Sequence, residues 1–185
     1  MILKWILPYW NYLLPVPILV QFYPYAFLDT ADDANRGYVL PDVKMTVLNP
    51  DGSVRDSISF DPGRYGLQSP RVAVKGLLVA PLPVNEDPFG CNPQTKFHVP
   101  PNTKQWIALL KRGKCTFKQK ILQAASYNAS AVVIYNISGE GPVTMTHNGT
   151  GDTVAVMIKE SKIKMILYYL ANNMTVLTTI AVGSQ

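Results

Sequence analysis

Residues 106–135 read WIALLKRGKCTFKQKILQAASYNASAVVIY, and their change of period decides the fold. Trp106–Leu110 is a short apolar run bounded by Lys104 and Lys111, the pattern of a buried strand. Thr116 followed by Gln119 is a capping box, which predicts a helix start there. Phe117, Ile121, Leu122, Ala124 and Ala125 then share one helical face, and Lys118, Lys120 and Gln123 take the other. Ala131–Tyr135 is a near-continuous apolar strand of the kind covered on both sides. The stretch is therefore β-α-β.

Downstream the succession repeats. Val154–Ile158 reads as a strand, and Ile163, Ile166, Leu167 and Leu170 repeat at helical spacing. Ser161 is placed to cap that helix, and Asn172 and Asn173 suit its end. Residues 176–182 form a last strand. Two successive β-α-β units imply parallel pairing with right-handed crossovers. Upstream, residues 39–48 and 53–60 form a hairpin around Asn49-Pro50-Asp51-Gly52, with Val54, Ile58 and Phe60 on the apolar side and Asp56 interrupting it. Residues 72–79 read as a strand, and 81–93, with four prolines and a glycine, as a loop. The expected class is α/β with a mixed sheet and flanking helices, in one domain over 38–185 preceded by a hydrophobic leader and linker over 1–37. Residues 5–28 carry no charge, yet Pro8, Pro15, Pro17 and Pro24 argue against a regular spanning helix. The reading is an atypical signal sequence.

The composition excludes more than it selects. Of 185 residues, 48% are apolar and 16% charged, a globular balance. Residues 1–90 carry 7 basic and 9 acidic side chains and residues 91–185 carry 10 and 3, so the net charge of +5 is −2 and +7 in the two halves. A basic half suits nucleic acid, an anionic membrane or an acidic partner. Lys111, Arg112, Lys114, Lys118 and Lys120 are its densest cluster, but the only interleaved aromatic, Phe117, belongs to the helix core, which argues against single-strand binding. The two cysteines, Cys91 and Cys115, and two histidines, His98 and His147, do not suffice for a RING or a zinc finger, and no metal or cofactor site is expected. No Walker A, G-x-G-x-x-G, G-x-S-x-G or H-E-x-x-H motif occurs, so no catalytic residue is assigned. Both histidines lie in loop-like stretches, where exposed polar residues are the expectation.

Four sequons, at Asn128, Asn136, Asn148 and Asn173, fall within the last sixty residues among eleven asparagines. Chance gives about one or two. All four are candidate glycosylation sites, and they favour a lumenal setting. In an oxidising compartment Cys91 and Cys115, the only thiols, are expected to pair, the alternative being two buried free thiols. Closing that loop would add about 3–4 kcal/mol in the chain-entropy account.

These residues also carry a resemblance. Lys104–Leu110, Arg112-Gly113-Lys114-Cys115-Thr116-Phe117, Ala131–Asn136, Pro142–His147, Gly151-Asp152, Val154–Ile158 and Ile180–Gly183 follow in order. Gly63-Arg64-Tyr65-Gly66, Ser69-Pro70, Gly90-Cys91-Asn92-Pro93 and Thr95 precede them. Together they resemble the protease-associated domain of the Goliath/GRAIL-type transmembrane RING ubiquitin ligases, the Goliath type above all, over residues 61–184. The resemblance implies the protease-associated fold on the lumenal side of the endosome, Golgi or plasma membrane. In such a parent a membrane helix and a cytoplasmic RING would follow, and this chain ends at Gln185 before them. It further implies a non-catalytic module that captures ectodomains of membrane-protein targets, with no nucleic acid as partner and contact with the membrane only through leader or missing segments. A purely structural accessory domain is the other reading. The expected binding loop is Arg112-Gly113-Lys114, at the carboxyl end of one strand and before a helix N-terminus. Backbone N–H groups and two cations there favour carboxylates.

Overall fold

The computed structural model describes residues 39–60, 62–82 and 87–183. The expected leader and linker over 1–37 lie outside the described residues. The chain order is β1 (Pro41–Leu48), β2 (Val54–Phe60), β3 (Arg64–Tyr65), β4 (Val74–Val79), β5 (Pro81–Leu82), β6 (Lys96–Phe97), β7 (Trp106–Lys111), α1 (Phe117–Ala125), β8 (Ala131–Tyr135), β9 (Val154–Ile158), α2 (Ile163–Ala171) and β10 (Thr175–Val182). One eight-stranded sheet runs β2-β1-β10-β4-β7-β8-β9-β3, and β5 with β6 makes a separate two-stranded ribbon. The class is mixed α/β, as the sequence predicts.

β4, β7, β8 and β9 are parallel. β7, α1 and β8 form the expected crossover unit, with Ile107 opposite Ala131 and Lys111 opposite Tyr135. The second strand–helix–strand succession exists, but its implied parallel pairing does not. β10 leaves α2, passes over the sheet and inserts antiparallel between β1 and β4, with Val43 opposite Ile180 and Leu177 opposite Leu77. Strand and helix periods do not encode which neighbour a strand takes. β9 reaches β8 instead through the helix-free segment 136–153.

Alternation along the central strands splits the core between the two faces. Ile107, Leu109, Val133 and Val156 pack on one side with Ile163 and Ile166 of α2. Ala108, Leu110, Val132 and Ile134 pack on the other with Ile121 and Ala124 of α1. Leu122, expected on the packed face of α1, is 41% exposed. Its position lies one residue beyond Ile121, off the stripe that meets the sheet. In the hairpin a register shift at Val47/Leu48 sets Val54 opposite Leu48 and leaves it exposed, while Ile58 and Phe60 are buried. Asp56, which interrupts the apolar face, accepts a hydrogen bond from the Tyr169 hydroxyl of α2 at 3.3 Å. Thr116 and Gln119 make the complete capping box. Ser161 does not cap α2: the N-cap is Lys162, at φ 71°, with no side-chain hydrogen bond to the helix, and its Nζ donates to Ser59 O at 3.0 Å.

Candidate binding loop

Three devices hold the loop after β7. Arg112 extends the β7–β8 ladder by one bond, its N–H donating to Tyr135 O at 2.9 Å. Gly113 follows at φ 117° and Lys114 at φ 62°, which turns the chain sharply into the Thr116 cap. A side chain at 113 would meet the Phe89 ring at 3.3 Å as well as the unfavourable φ, so glycine is required. Cys115 is joined to Cys91, with Cα atoms 5.8 Å apart, which ties the loop to the segment carrying Phe89.

The two cations of the loop are held differently. One nitrogen of Arg112, Nη1, donates to Asn136 Oδ1 at 2.8 Å and to Glu140 Oε2 at 2.7 Å. Asn136 is fully buried at the carboxyl end of β8; its Oδ1 also accepts from Ile137 N, and its Nδ2 donates to Gly141 O. The asparagine thus fixes the guanidinium and the 137–141 turn together. Lys114 is exposed, with Nζ 4.5 Å from the centre of the half-buried Phe89 ring. Lys111 Nζ stands 5.9 Å and Lys120 Nζ 5.4 Å from the same ring. Beyond Glu140 an open cleft of about 590 Å³, lined by Ser138–Gly141, Lys159–Lys162 and Lys164, continues along the carboxyl ends of β8 and β9. The loop carries exposed positive charge beside an aromatic ring, and the cleft carries both lysines and glutamates.

Lys120 departs from the sequence reading, which set it on the polar face of α1. It is 0% exposed, and Nζ donates to Phe89 O at 2.6 Å and lies 3.4 Å from Cys91 Sγ. Burial pushes its amine down to about 8, opposed by the Asp87 carboxylate and assisted by Lys114. Burial acts to raise the Asp87 carboxyl, but hydrogen bonds from Thr95 Oγ1 and the Asn92 N–H prevail and hold it below its ordinary value. No helical period distinguishes a lysine that turns back beneath a loop from one in solvent.

His147 is also a correction: it is 1% exposed rather than a surface residue. Its Nδ1 lies 2.8 Å from Thr150 Oγ1, its backbone N–H donates to Gln68 Oε1, and Nε2 has no partner. His98 is exposed. A buried imidazole facing a buried threonine offers substrate no access, and the oxidised Cys115 offers no thiolate. Among the described residues no cluster of His, Cys, Asp and Glu is suited to a metal ion.

Of the sequon asparagines, Asn128, Asn148 and Asn173 are exposed. Asn136 is not: its Nδ2, the atom a glycan would occupy, is hydrogen-bonded inside the fold. The sequence reading missed Phe89, Asn136 and Glu140 as neighbours of the loop. Asn136 follows the β8 strand directly, which signals its place at the carboxyl end, but the sequon pattern assigned it another role.

A family model described as "PA domain" matches residues 74–166. E3 ubiquitin-protein ligase RNF130 of Rattus norvegicus is 54% identical over 158 residues, covering 84% of this chain and 38% of that protein. E3 ubiquitin-protein ligase RNF149 of Homo sapiens is 41% identical over 157 residues, covering 82% and 37%. RING finger protein 150 of Mus musculus is 42% identical over 125 residues, covering 66% and 28%. The chain thus spans less than two fifths of the length of these relatives. Among solved structures, an aminopeptidase from Aneurinibacillus sp. strain AM-1 aligns with a TM-score of 0.48 at 22% identity, over 80% of this chain and 32% of that one.

Proposed function

The chain belongs to the protease-associated (PA) domain family, in the branch carried by Goliath-type RING ubiquitin ligases, and from that premise we propose that it is the target-capturing ectodomain of such a ligase. In this reading residues 1–37 are the leader and 38–185 the domain, exposed to the lumen of the endomembrane system. The domain holds ectodomains of membrane proteins, and the RING of a full-length parent acts on their cytoplasmic side. The domain performs no chemistry of its own.

The observation that supports capture is the loop Arg112-Gly113-Lys114. It stands at the carboxyl end of β7, where α/β sheets collect ligands, and is braced by a disulfide, a buried asparagine and an aromatic ring. A braced loop loses little conformational freedom on binding. Its cations favour an acidic segment of the partner. An accessory role in folding or trafficking is the second reading, and Arg112 favours it by being already bonded within the domain.

A pull-down of membrane-protein ectodomains with the full chain separates the two. Specific capture that falls in Lys114→Glu, with an unchanged melting temperature, and disappears in the Arg112→Glu/Lys114→Glu double variant, shown by circular dichroism to remain folded, is the expected result. Undiminished capture by that variant would remove the site from this loop, and no capture by the wild type would favour the accessory role.

A further inference from the structure

Nothing in the capture role calls for a lysine buried against a disulfide. Lys120 Nζ donates to Phe89 O at 2.6 Å and stands 3.4 Å from Cys91 Sγ. Its contact is with one sulfur of the pair. Around Cys91 Sγ lie also Phe89 O at 3.8 Å and Gly113 O at 3.6 Å, and both cysteines are half-buried. Both chain neighbours of Cys115, Lys114 and Thr116, are exposed, whereas Cys91 follows the buried Gly90. Asp87, whose carboxylate acts on Lys120, is the acidic group that favours the charged amine, and Lys114 opposes it.

We propose that Cys91–Cys115 is a polarised thiol–disulfide exchange site for dithiol reductants, in which Cys115 is the attacked sulfur and Cys91 the leaving sulfur, held as a thiolate by the Lys120 ammonium. A cation beside a cysteine lowers its thiol pKa, and the sulfur with the lower pKa leaves faster. The thiolate of the dithiol attacks Cys115 Sγ, the sulfur away from the Lys120 ammonium. The S–S bond breaks, and its electron pair passes to Cys91 Sγ. The second thiol of the reductant then attacks the mixed disulfide, and the reductant leaves as its own cyclic disulfide. Cys115 departs and takes the proton of that second thiol. The protein bond is reduced by two electrons and the dithiol oxidised by two. Opening the bond unties the Phe89 segment from the 112–115 loop.

The test uses the full chain. With Cys115→Ser only the Cys91 thiol remains, and with Cys91→Ser only Cys115. Iodoacetamide alkylation against pH is expected to titrate Cys91 at least about one unit below Cys115. Lys120→Met added to Cys115→Ser should remove the difference, and Lys120→Arg, which keeps the charge, should retain most of it. In the oxidised chain, dithiothreitol should open the bond about fivefold faster in wild type than in Lys120→Met, and glutathione should be trapped on Cys115. A Cys91 thiol titrating at or above Cys115, or glutathione trapped on Cys91, overturns the proposal. The two single-cysteine variants keep the lysine, so this comparison stands even if Lys120→Met does not fold.

Discussion

The imidazole of His147 packs directly on the backbone of Gly66: a Cβ built on the glycine would overlap His147 Nε2. The contact locks the 136–153 segment onto the loop after β3, where Leu67 N also donates to Met145 O at 2.8 Å and Ala155 N to Ser69 Oγ at 2.9 Å. Gly66→Ala must displace the ring or the loop. We expect it to cost about 2–3 kcal/mol, the range of an overpacked core, read from urea unfolding at neutral pH.

Burial holds the His147 imidazole below its ordinary pKa, because the charged form loses its hydration. The unfolded chain therefore binds a proton more readily than the folded one as pH falls past the usual histidine value of about 6.5. Stability from this group is fully present above that value and is lost as pH falls toward the depressed folded value. Urea unfolding at pH 7 and pH 5 should show a loss in the wild type that is smaller in His147→Asn. An equal loss in the two would assign the acid sensitivity to other groups.

Glycan occupancy is expected at Asn128, Asn148 and Asn173 and not at Asn136 in material secreted from a eukaryotic host. The first three are exposed, and the fourth has its amide inside the fold. Site-resolved mass spectrometry after glycosidase treatment in heavy-oxygen water checks this. A glycan on Asn136 in folded protein would contradict the packing around Arg112.

Asn136→Ala is expected to destabilise the domain by about 2–3 kcal/mol, since it removes a fully buried amide that accepts from Arg112 Nη1 and Ile137 N and donates to Gly141 O. Equilibrium denaturation measures it. A variant within about 0.5 kcal/mol of wild type would mean that Arg112 and the 137–141 turn order each other without the asparagine.

Glu140→Gln should behave differently. The Arg112–Glu140 pair is 2.7 Å long, but its side chains are 32% and 50% exposed. A pair so placed contributes about 0–1 kcal/mol. The thermal midpoint should hardly move, and it should lose its salt dependence if this pair is the source.

Legibility followed the range over which each signal acts. The β7–α1–β8 unit was readable because a capping box, a 3.6 period and two apolar runs are local patterns. The turn at Asn49–Gly52 was readable for the same reason. The place of β10 was not: its sequence alternates acceptably in any sheet, and its neighbours β1 and β4 are decided by how the two faces close. The loop Arg112-Gly113-Lys114 was found from its position after a strand. Its surroundings were hidden, since Phe89 and Glu140 reach it from 23 residues before and 28 after Arg112. Lys120 and His147 share another cause. Both are polar residues that fold inward to meet backbone or hydroxyl partners, and residue type alone favours the surface for each.

The insertion of β10 between β1 and β4 has a consequence for a chain made from its amino end. Along the main sheet the β1–β2 hairpin is hydrogen-bonded to the rest only through β10. While residues 41–174 emerge, the parallel strands can align, yet the hairpin has no strand to join and exposes Val43, Met45 and Val47, which end up fully covered. The last strand of this domain is the keystone that welds two half-sheets. Assembly is therefore set late, by contacts more than a hundred residues apart, Val43 with Ile180 among them. Topologies of that kind fold slowly, and a nascent domain of this type would need protection until its final strand arrives.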